Sequence, residues 1–425
     1  MNKIYDVLII GAGASGLFLA SNLHGLEVAI LEKNSCAGKK ILASGGGKCN
    51  ITNRYISSQN YLGDEEFIAK ALLNLSFCDV LEFFAELQFK EIKQNQFFCT
   101  SSARDVLGVL LRSSEQNKAK IFYNCDVKSA SKISNSKNCE AGVCGDLSNS
   151  QNEIFEILTH NGQKFRAKNL VVASGGLSYK ALGASDIGYL VAQNFGLQVT
   201  KTAPALVGFT VQKDEFWFKN LSGVSLNAEI SLNTKNILGL KFKDQDKPNS
   251  DKKTALSERK FSADVLFTHK GISGPAVLSA SLFWSKGAVR INFLPNFDTR
   301  CLSRTKKQLS TILPLPRRFT LEFLKANGLE DMIFGEYNEE QKAKILKLFD
   351  YPFAPAGTFG FERAEVTKGG VSTDEIDENF ECKSVKNLYF IGEVLDVTGM
   401  LGGYNLHFAF TSAKILANHL NLRLP

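Results

Sequence analysis

The sequence predicts an α/β fold in which a sheet is assembled from both ends of the chain and interrupted by a β-rich, then helical, insert. Three observations carry this. Within the first 32 residues an apolar strand runs straight into a glycine-rich turn, a helix and a second strand. Residues 387–420 repeat that order as strand, acid, glycine turn and helix. Between them, residues 170–173 form a third apolar strand that runs into Gly175-Gly176.

Residues 5–10 are rich in β-branched and aliphatic residues and few enough for a strand buried on both faces. Gly11-Ala12-Gly13-Ala14-Ser15-Gly16 follows at once. Residues 17–23 read as helix and 27–31 as a second strand, ended by Glu32. The spacing has a mechanical reason. Gly11 allows the tight turn, Gly13 lets backbone approach a pyrophosphate, and Gly16 lets the helix pack close to the sheet. The N–H groups that open the helix, with its dipole, favour phosphate. Glu32, 21 residues after Gly11, is placed to accept hydrogen bonds from an adenosine ribose, and it would repel a 2′-phosphate. The segment reads as a Rossmann-type dinucleotide site for NAD or FAD rather than NADP.

The C-terminal end narrows this choice. Residues 387–391 read as a buried strand, followed by Gly392-Glu393, then Gly402-Gly403-Tyr404-Asn405 and a helix over 406–420. FAD is long enough to need a second contact. Glu393 would hold the ribityl chain, and a helix starting near Tyr404 would aim N–H groups at the flavin pyrimidine edge. The third strand, with Ser174, Gly175 and Gly176, returns the chain to the same domain.

The composition excludes other classes. The chain has 425 residues, 44% hydrophobic and 22% charged, which leaves no place for a disordered tail or a fibre. The net charge of +7 is spread along the chain. The Lys-rich stretch 241–260 also carries acids and reads as a solvated loop, so a nucleic-acid partner is not expected. Nine cysteines without a CxxC pair or zinc-like spacing read as reduced thiols in a cytoplasmic protein, with no metal site. No apolar run approaches a membrane helix.

Three segments divide the chain: 1–195 and 356–425 form one domain, and 196–355 the insert. In the first, 65–87 and 103–113 read as helices, and 121–127, 154–159 and 164–167 as strands of a side sheet. Residues 128–153 read as a polar, mobile hairpin loop. The insert shows strands at 205–212, 224–232, 264–268 and 288–293, then helices at 305–312, 321–326 and 339–348.

These segments resemble the YhiN/BaiN-type bacterial NAD(P)/FAD-dependent oxidoreductases, sometimes labelled aminoacetone-oxidase-like. The resemblance rests on residues 39–53 (KKILASGGGKCNITN), 267–276 (FTHKGISGPA), 364–371 (AEVTKGGV), 392–399 (GEVLDVTG) and 402–405 (GGYN), in the family's order. It implies a GR2-like FAD-binding domain made from both chain ends, with FAD as cofactor. The candidate cofactor contacts are then Gly11, Gly13, Ala14, Ser15, Gly16, Glu32, Lys33, Lys40, Ser44, Gly45, Gly46, Gly47, Asn50, Val127, Ser174, Gly175, Gly176, Gly392, Glu393, Gly402, Gly403, Tyr404 and Asn405.

Flavin chemistry asks little of side chains. Three residues are candidates for catalysis: Cys49 after the triple glycine, His407 in the first turn of the last helix, and His269 in the insert. For each, a structural role competes. The leading functional expectation is two-electron hydride transfer through flavin N5 on a small organic substrate, with NAD(P)H as a transient donor over the flavin. Two others stand beside it: a flavoprotein that modifies tRNA or another macromolecule, and a non-enzymatic FAD-binding redox sensor.

Overall fold

The structure is a computed structural model and describes residues 3–92, 95–134, 153–233, 258–304 and 306–423. The chain forms two compact units, residues 1–203 with 366–425, and residues 204–365. The insert read at 196–355 is thus shifted toward the C-terminus.

In the first unit, β1 (Ile4–Ile10) is central and its last four residues are buried. It pairs in parallel with β2 (Val28–Leu31) on one side and with strand Lys164–Val172 on the other. Lys120–Phe122 extends the sheet beyond β2, and Leu388–Phe390 joins beside Lys164–Val172, both in parallel. Helix α1 (Ala14–Ala20) packs against the C-terminal helix Tyr404–Arg423. In register, Ile10 stands opposite both Leu31 and Val172. The carboxyl ends of the parallel strands therefore share one edge, from which Gly11, Glu32, Ala173 and Ile391 lead away. Such an edge is where open α/β sheets bind ligands.

Several elements differ from the sequence expectation. The helix read over 65–87 is two helices, Glu65–Leu72 and Phe77–Phe83. The second is started by a capping box, in which Ser76 and Asp79 exchange hydrogen bonds. The strand read over 121–127 is split by a turn at Asn124, whose φ is 55°. Its first part joins the parallel sheet, and its end opens the antiparallel strand Val127–Ser134. Residues 164–167 and 170–172 are one continuous strand, antiparallel to Glu153–Thr159 in its first half and parallel to Leu388–Phe390 in its second. Most of the polar loop, 135–152, lies outside the described residues, as do Cys139 and Cys144.

The second unit holds an antiparallel sheet in the order Tyr351–Phe353, Val289–Asn292, Ser225–Asn233, Glu258–Thr268, Gly271–Ser273, Phe209–Thr210 and Gly357–Thr358. Helices Pro275–Phe283, Arg317–Ala326 and Glu339–Leu346 accompany it. Its core is aromatic: Phe218, Phe267, Phe293, Phe319 and Phe353 are fully buried. Of the strand read over 205–212, Phe209–Thr210 joins this sheet, and Leu206 before it takes a φ of 50°. The helix read over 305–312 is the shorter Leu309–Ile312. Residues 241–257 of the Lys-rich stretch lie outside the described residues. No described helix is long and apolar enough to cross a membrane.

Candidate cofactor and active site

The site is built at the carboxyl edge of the parallel sheet. Gly11 has a φ of 107°, and a Cβ there would sit 2.5 Å from the Ala173 carbonyl oxygen. A Cβ on Gly16 would be driven into the Gly11 carbonyl, so the helix can lie this close only because Gly16 has none. A Cβ on Gly13 would meet nothing within 4 Å. Two glycines are therefore fixed by protein contacts, and the third faces open space. The first N–H groups of α1, on Ala14, Ser15 and Gly16, have no acceptor within the helix.

Glu32 braces this turn. One carboxylate oxygen accepts from the Ala12 N–H at 3.0 Å, and the other from the Asn34 N–H and side-chain amide at 2.8 and 2.7 Å. Asn34 is held in turn by Lys39, whose ammonium donates to it at 2.8 Å. Lys33 faces outward and pairs with Asp126 at 3.6 Å. The Glu32 carbonyl accepts from the Cys125 N–H, which brings the buried Val127 toward the same end.

The C-terminal segment meets the N-terminal one directly. A Cβ on Gly392 would lie 2.7 Å from Ser15 Oγ, so the two glycine turns touch. Glu393 accepts from the Thr367 N–H at 3.0 Å and pairs with Lys40 at 2.5 Å. Thr367 Oγ1 accepts from the N–H groups of Leu177 and Ser178, which anchors the turn after Ser174-Gly175-Gly176. Gly175 has a φ of 72° and, like Gly13, faces open space. Asn405 grips the Gly399 peptide from both sides, accepting from its N–H and donating to its carbonyl, each at 2.8 Å. Gly402 and Gly403 lie against strand Asn50–Asn53: Asn53 donates to the Gly402 carbonyl at 3.1 Å, and a Cβ on Gly403 would sit 2.6 Å from the Thr52 carbonyl oxygen. With its amide oxygen facing Gly403, Asn50 accepts from that N–H at 3.1 Å. Tyr404 starts the long helix, and its carbonyl accepts from the Tyr61 hydroxyl.

Ser44, Gly45, Gly46 and Gly47 form a tight turn in which all three glycines have left-handed φ. Gly45 packs on Phe98, whereas Gly46 and Gly47 face open space. Ser44 turns its hydroxyl to the Ile41 carbonyl at 2.6 Å.

The three catalytic candidates are placed elsewhere in role. His407 is fully buried. Its Nδ1 meets the Thr52 hydroxyl at 2.8 Å and its Nε2 the Leu75 carbonyl at 3.1 Å. A carbonyl can only accept, so Nε2 carries the proton and Nδ1 accepts from Thr52. Burial lowers the imidazole to about 4, which keeps it neutral. Both ring nitrogens are occupied, so His407 ties the last helix to strand Asn50–Asn53 and to Leu75, which favours a structural role. Cys49 is also fully buried, and burial pushes its thiol up to about 12. Thiol chemistry needs the thiolate, which this burial disfavours, so the structure favours a packing role for Cys49. His269 occupies the exposed turn between Glu258–Thr268 and Gly271–Ser273 in the second unit, where Thr268 Oγ1 accepts from the Lys270 and Gly271 N–H groups. It belongs to that hairpin.

Sequence reasoning missed a polar cluster beside Glu393. The buried Tyr189 hydroxyl has no hydrogen-bond partner among the described residues, and burial with the charges of Glu393 and Asp396 pushes its pKa up. Asp396 is raised by burial and accepts from Thr200 Oγ1 at 2.8 Å. Asp396 lies inside the 392–399 motif, but Tyr189 carries no local signal.

These residues fit FAD. Gly13, Gly175, Gly46 and Gly47 leave room where side chains would stand, and two turns from opposite chain ends meet at Ser15 and Gly392. Glu32 and the α1 N–H groups would hold the adenosine ribose and pyrophosphate. Glu393 with Lys40 would hold the ribityl chain, and the start of helix Tyr404–Arg423 the pyrimidine edge.

Comparison with known proteins gives the family. The model of a family described as the HI0933-like protein Rossmann domain matches residues 5–419. A ribosomal RNA dihydrouridine synthase of Haemophilus influenzae is 34% identical over 98% of both chains, and one of Escherichia coli is 33% identical over the same shares. A 3-dehydro-bile acid Δ(4,6)-reductase of Clostridium scindens is 30% identical, again over 98% of both chains. Among solved structures, a 3-ketosteroid-Δ4-(5α)-dehydrogenase of Rhodococcus jostii shares the fold at 13% identity, with a TM-score of 0.51 over 98% of this chain and 97% of that one.

Proposed function

The chain belongs to the HI0933-like Rossmann family and is an FAD-dependent oxidoreductase, and on that premise we propose that it reduces a carbon–carbon double bond conjugated to a carbonyl, in a uracil ring carried by RNA. The observation that carries the flavin part is the two-ended glycine cradle, closed where Gly392 meets Ser15. The names of the full-length relatives support the reaction. Making dihydrouridine reduces the uracil C5–C6 bond, and a Δ(4,6)-reductase acts on double bonds conjugated to a 3-oxo group. In both, one carbon gains a hydride and its neighbour a proton. Uracil in RNA is placed first because two relatives at 34% and 33% identity carry that name. A small enone, one member of the small-organic-substrate class expected from sequence, is the second reading and is supported by the relative at 30%.

The chemistry that bound FAD supplies is a hydride equivalent at N5. This chain's residues bind and orient. The α1 N-terminus and Glu32 would hold one end of the dinucleotide, and Lys40 with Glu393 its middle. The N-terminus of helix Tyr404–Arg423 would offer partial positive charge to the pyrimidine edge of the flavin. NAD(P)H restores the two electrons. The sequence has one dinucleotide fingerprint, so the nicotinamide docks transiently.

The test is a visible spectrum of the purified protein, then anaerobic NADH or NADPH, then substrate. Bound flavin, bleached by one nicotinamide and recoloured by a uridine-containing RNA with dihydrouridine formed, is the expected result. Recolouring by an enone and not by RNA selects the second reading. A flavin that neither nicotinamide bleaches refutes the donor, and a protein that binds no FAD refutes the cradle.

A further inference from the structure

We infer that the second unit carries a contact surface for single-stranded RNA, formed by Phe216, Lys219, Arg304, Lys306, Arg317 and Arg318; this rests on the RNA reading above. The first support is a charge run. Residues 300–318 contain six basic residues and no acid. Arg304, Lys306, Arg317 and Arg318 are exposed. Arg300 is paired with Asp298, but Arg304, Lys306 and Arg317 have no ion-pair partner among the described residues.

The second support is an exposed aromatic ring beside this run. Phe216 is 46% exposed, and the Lys219 ammonium lies over its face at 3.6 Å. Their 3₁₀ helix, Lys213–Leu221, is fastened to helix Arg317–Ala326. Trp217 packs on Phe319 and Phe323 there, and Arg318 donates to the carbonyls of Asn220 and Ser222. The short helix Leu309–Ile312 packs on the same helix, which brings the run from Arg304 back toward Arg317. Of the acids on the two joined elements, Glu322 accepts from the Asn220 amide, Glu215 is buried, and Asp214 remains.

Stability alone would not choose this arrangement. Arg317 and Arg318 open a helix with no acid in its first turn and no side-chain cap, where the dipole favours negative groups. A phosphate backbone supplies the missing negative charge, and a base can stack on Phe216. Cations that track the backbone beside an aromatic face are what single-stranded nucleic acid binding uses.

The test uses the full FAD-bound chain and a fluorescent single-stranded oligouridylate, with anisotropy read across KCl concentrations. The Arg304→Ala/Lys306→Ala/Arg317→Ala variant should bind about 100-fold more weakly at 0.1 M salt, with the slope of log K against log salt reduced by about 2. Phe216→Ala should weaken binding about tenfold and leave the slope unchanged. Arg318 is left in place because it fastens two elements. Unchanged flavin spectra and NAD(P)H bleaching show that the variants are folded. If wild type binds no oligouridylate, if the triple variant binds as tightly, or if polyglutamate competes equally, the surface is refuted, and bleaching and recolouring by an enone still judge the reductase reading. If the variants lose RNA binding while wild type forms no dihydrouridine, the surface stands and the uracil reading falls.

Discussion

His407 should make the first unit acid-labile. The imidazole is neutral when folded and titrates near 4, against 6.5 for an ordinary histidine. The unfolded chain therefore takes up a proton as pH falls through 6.5, and the folded protein takes it up only near 4. Stability is full above 6.5 and drains away between those values. Between pH 7.5 and pH 5 the loss from this one group is about 2 kcal/mol. The assay is urea unfolding of wild type and His407→Gln at pH 7.5, 6 and 5. Flavin release reports the first unit. Tryptophan emission reports the other unit, since Trp217 and Trp284 both lie within residues 204–365. The variant should lose about 1–2 kcal/mol at pH 7.5, because two buried hydrogen bonds are disturbed. Its flavin-release midpoint should then fall less with acid than that of wild type, and the tryptophan transition should shift alike in both. The double difference cancels other titrating groups. Equal acid sensitivity in wild type and variant would refute the reasoning. A turnover profile with a pKa near 6–7 that vanishes in the variant would restore a catalytic role.

Three further outcomes are expected. Gly13→Ala should give a folded protein with weakened FAD binding, because the added Cβ meets open space that the pyrophosphate needs, whereas Gly16→Ala should destabilise the apoprotein itself by driving into the Gly11 carbonyl; thermal melts of the apo forms and flavin titrations separate the two. Glu393→Gln should lower FAD affinity by about 10–100-fold, the range for losing a charged hydrogen bond, as read by quenching of flavin fluorescence. It should leave secondary structure intact. Iodoacetamide at pH 8 should label the exposed Cys36, Cys78 and Cys301 quickly and reach Cys49 only after unfolding, as read by peptide mapping; fast labelling of Cys49 would return it to the candidates for redox chemistry.

The dinucleotide turn was legible because its rules are steric and local. Each glycine's reason lies within a few residues or at the adjoining strand end: Gly11 turns against Ala173, Gly16 lies against the Gly11 carbonyl, and Gly13 faces open space. The C-terminal echo was legible for the same reason. The break at 73–76 was hidden, since Leu72, Leu73 and Leu75 continue the apolar run, although Ser76 and Asp79 carried the capping signal. The split of 121–127 was visible only in Asn124, a residue that tolerates left-handed backbone. The roles of His407 and Cys49 were out of reach. Thr52 is 355 residues from His407 and Leu75 is 332, and no window on sequence shows such partners.

That correction changes where catalysis is to be sought. His407 and Cys49 drew attention because they sit inside motifs beside the cofactor turns. The structure gives both a structural reason to be there: each is buried, and burial favours its neutral form. A neutral, buried histidine joining strand Asn50–Asn53 to helix Tyr404–Arg423 holds the glycine turn at 402–403 against that strand. Two groups near the cofactor turns stand out: Lys40, paired with Glu393, and Tyr189, whose buried hydroxyl has no hydrogen-bond partner among the described residues. A protein of this kind works by orientation and field. Its sensitive positions are then the glycines and the Lys40–Glu393 pair, and substitutions there should change cofactor binding before they change any proton-transfer step.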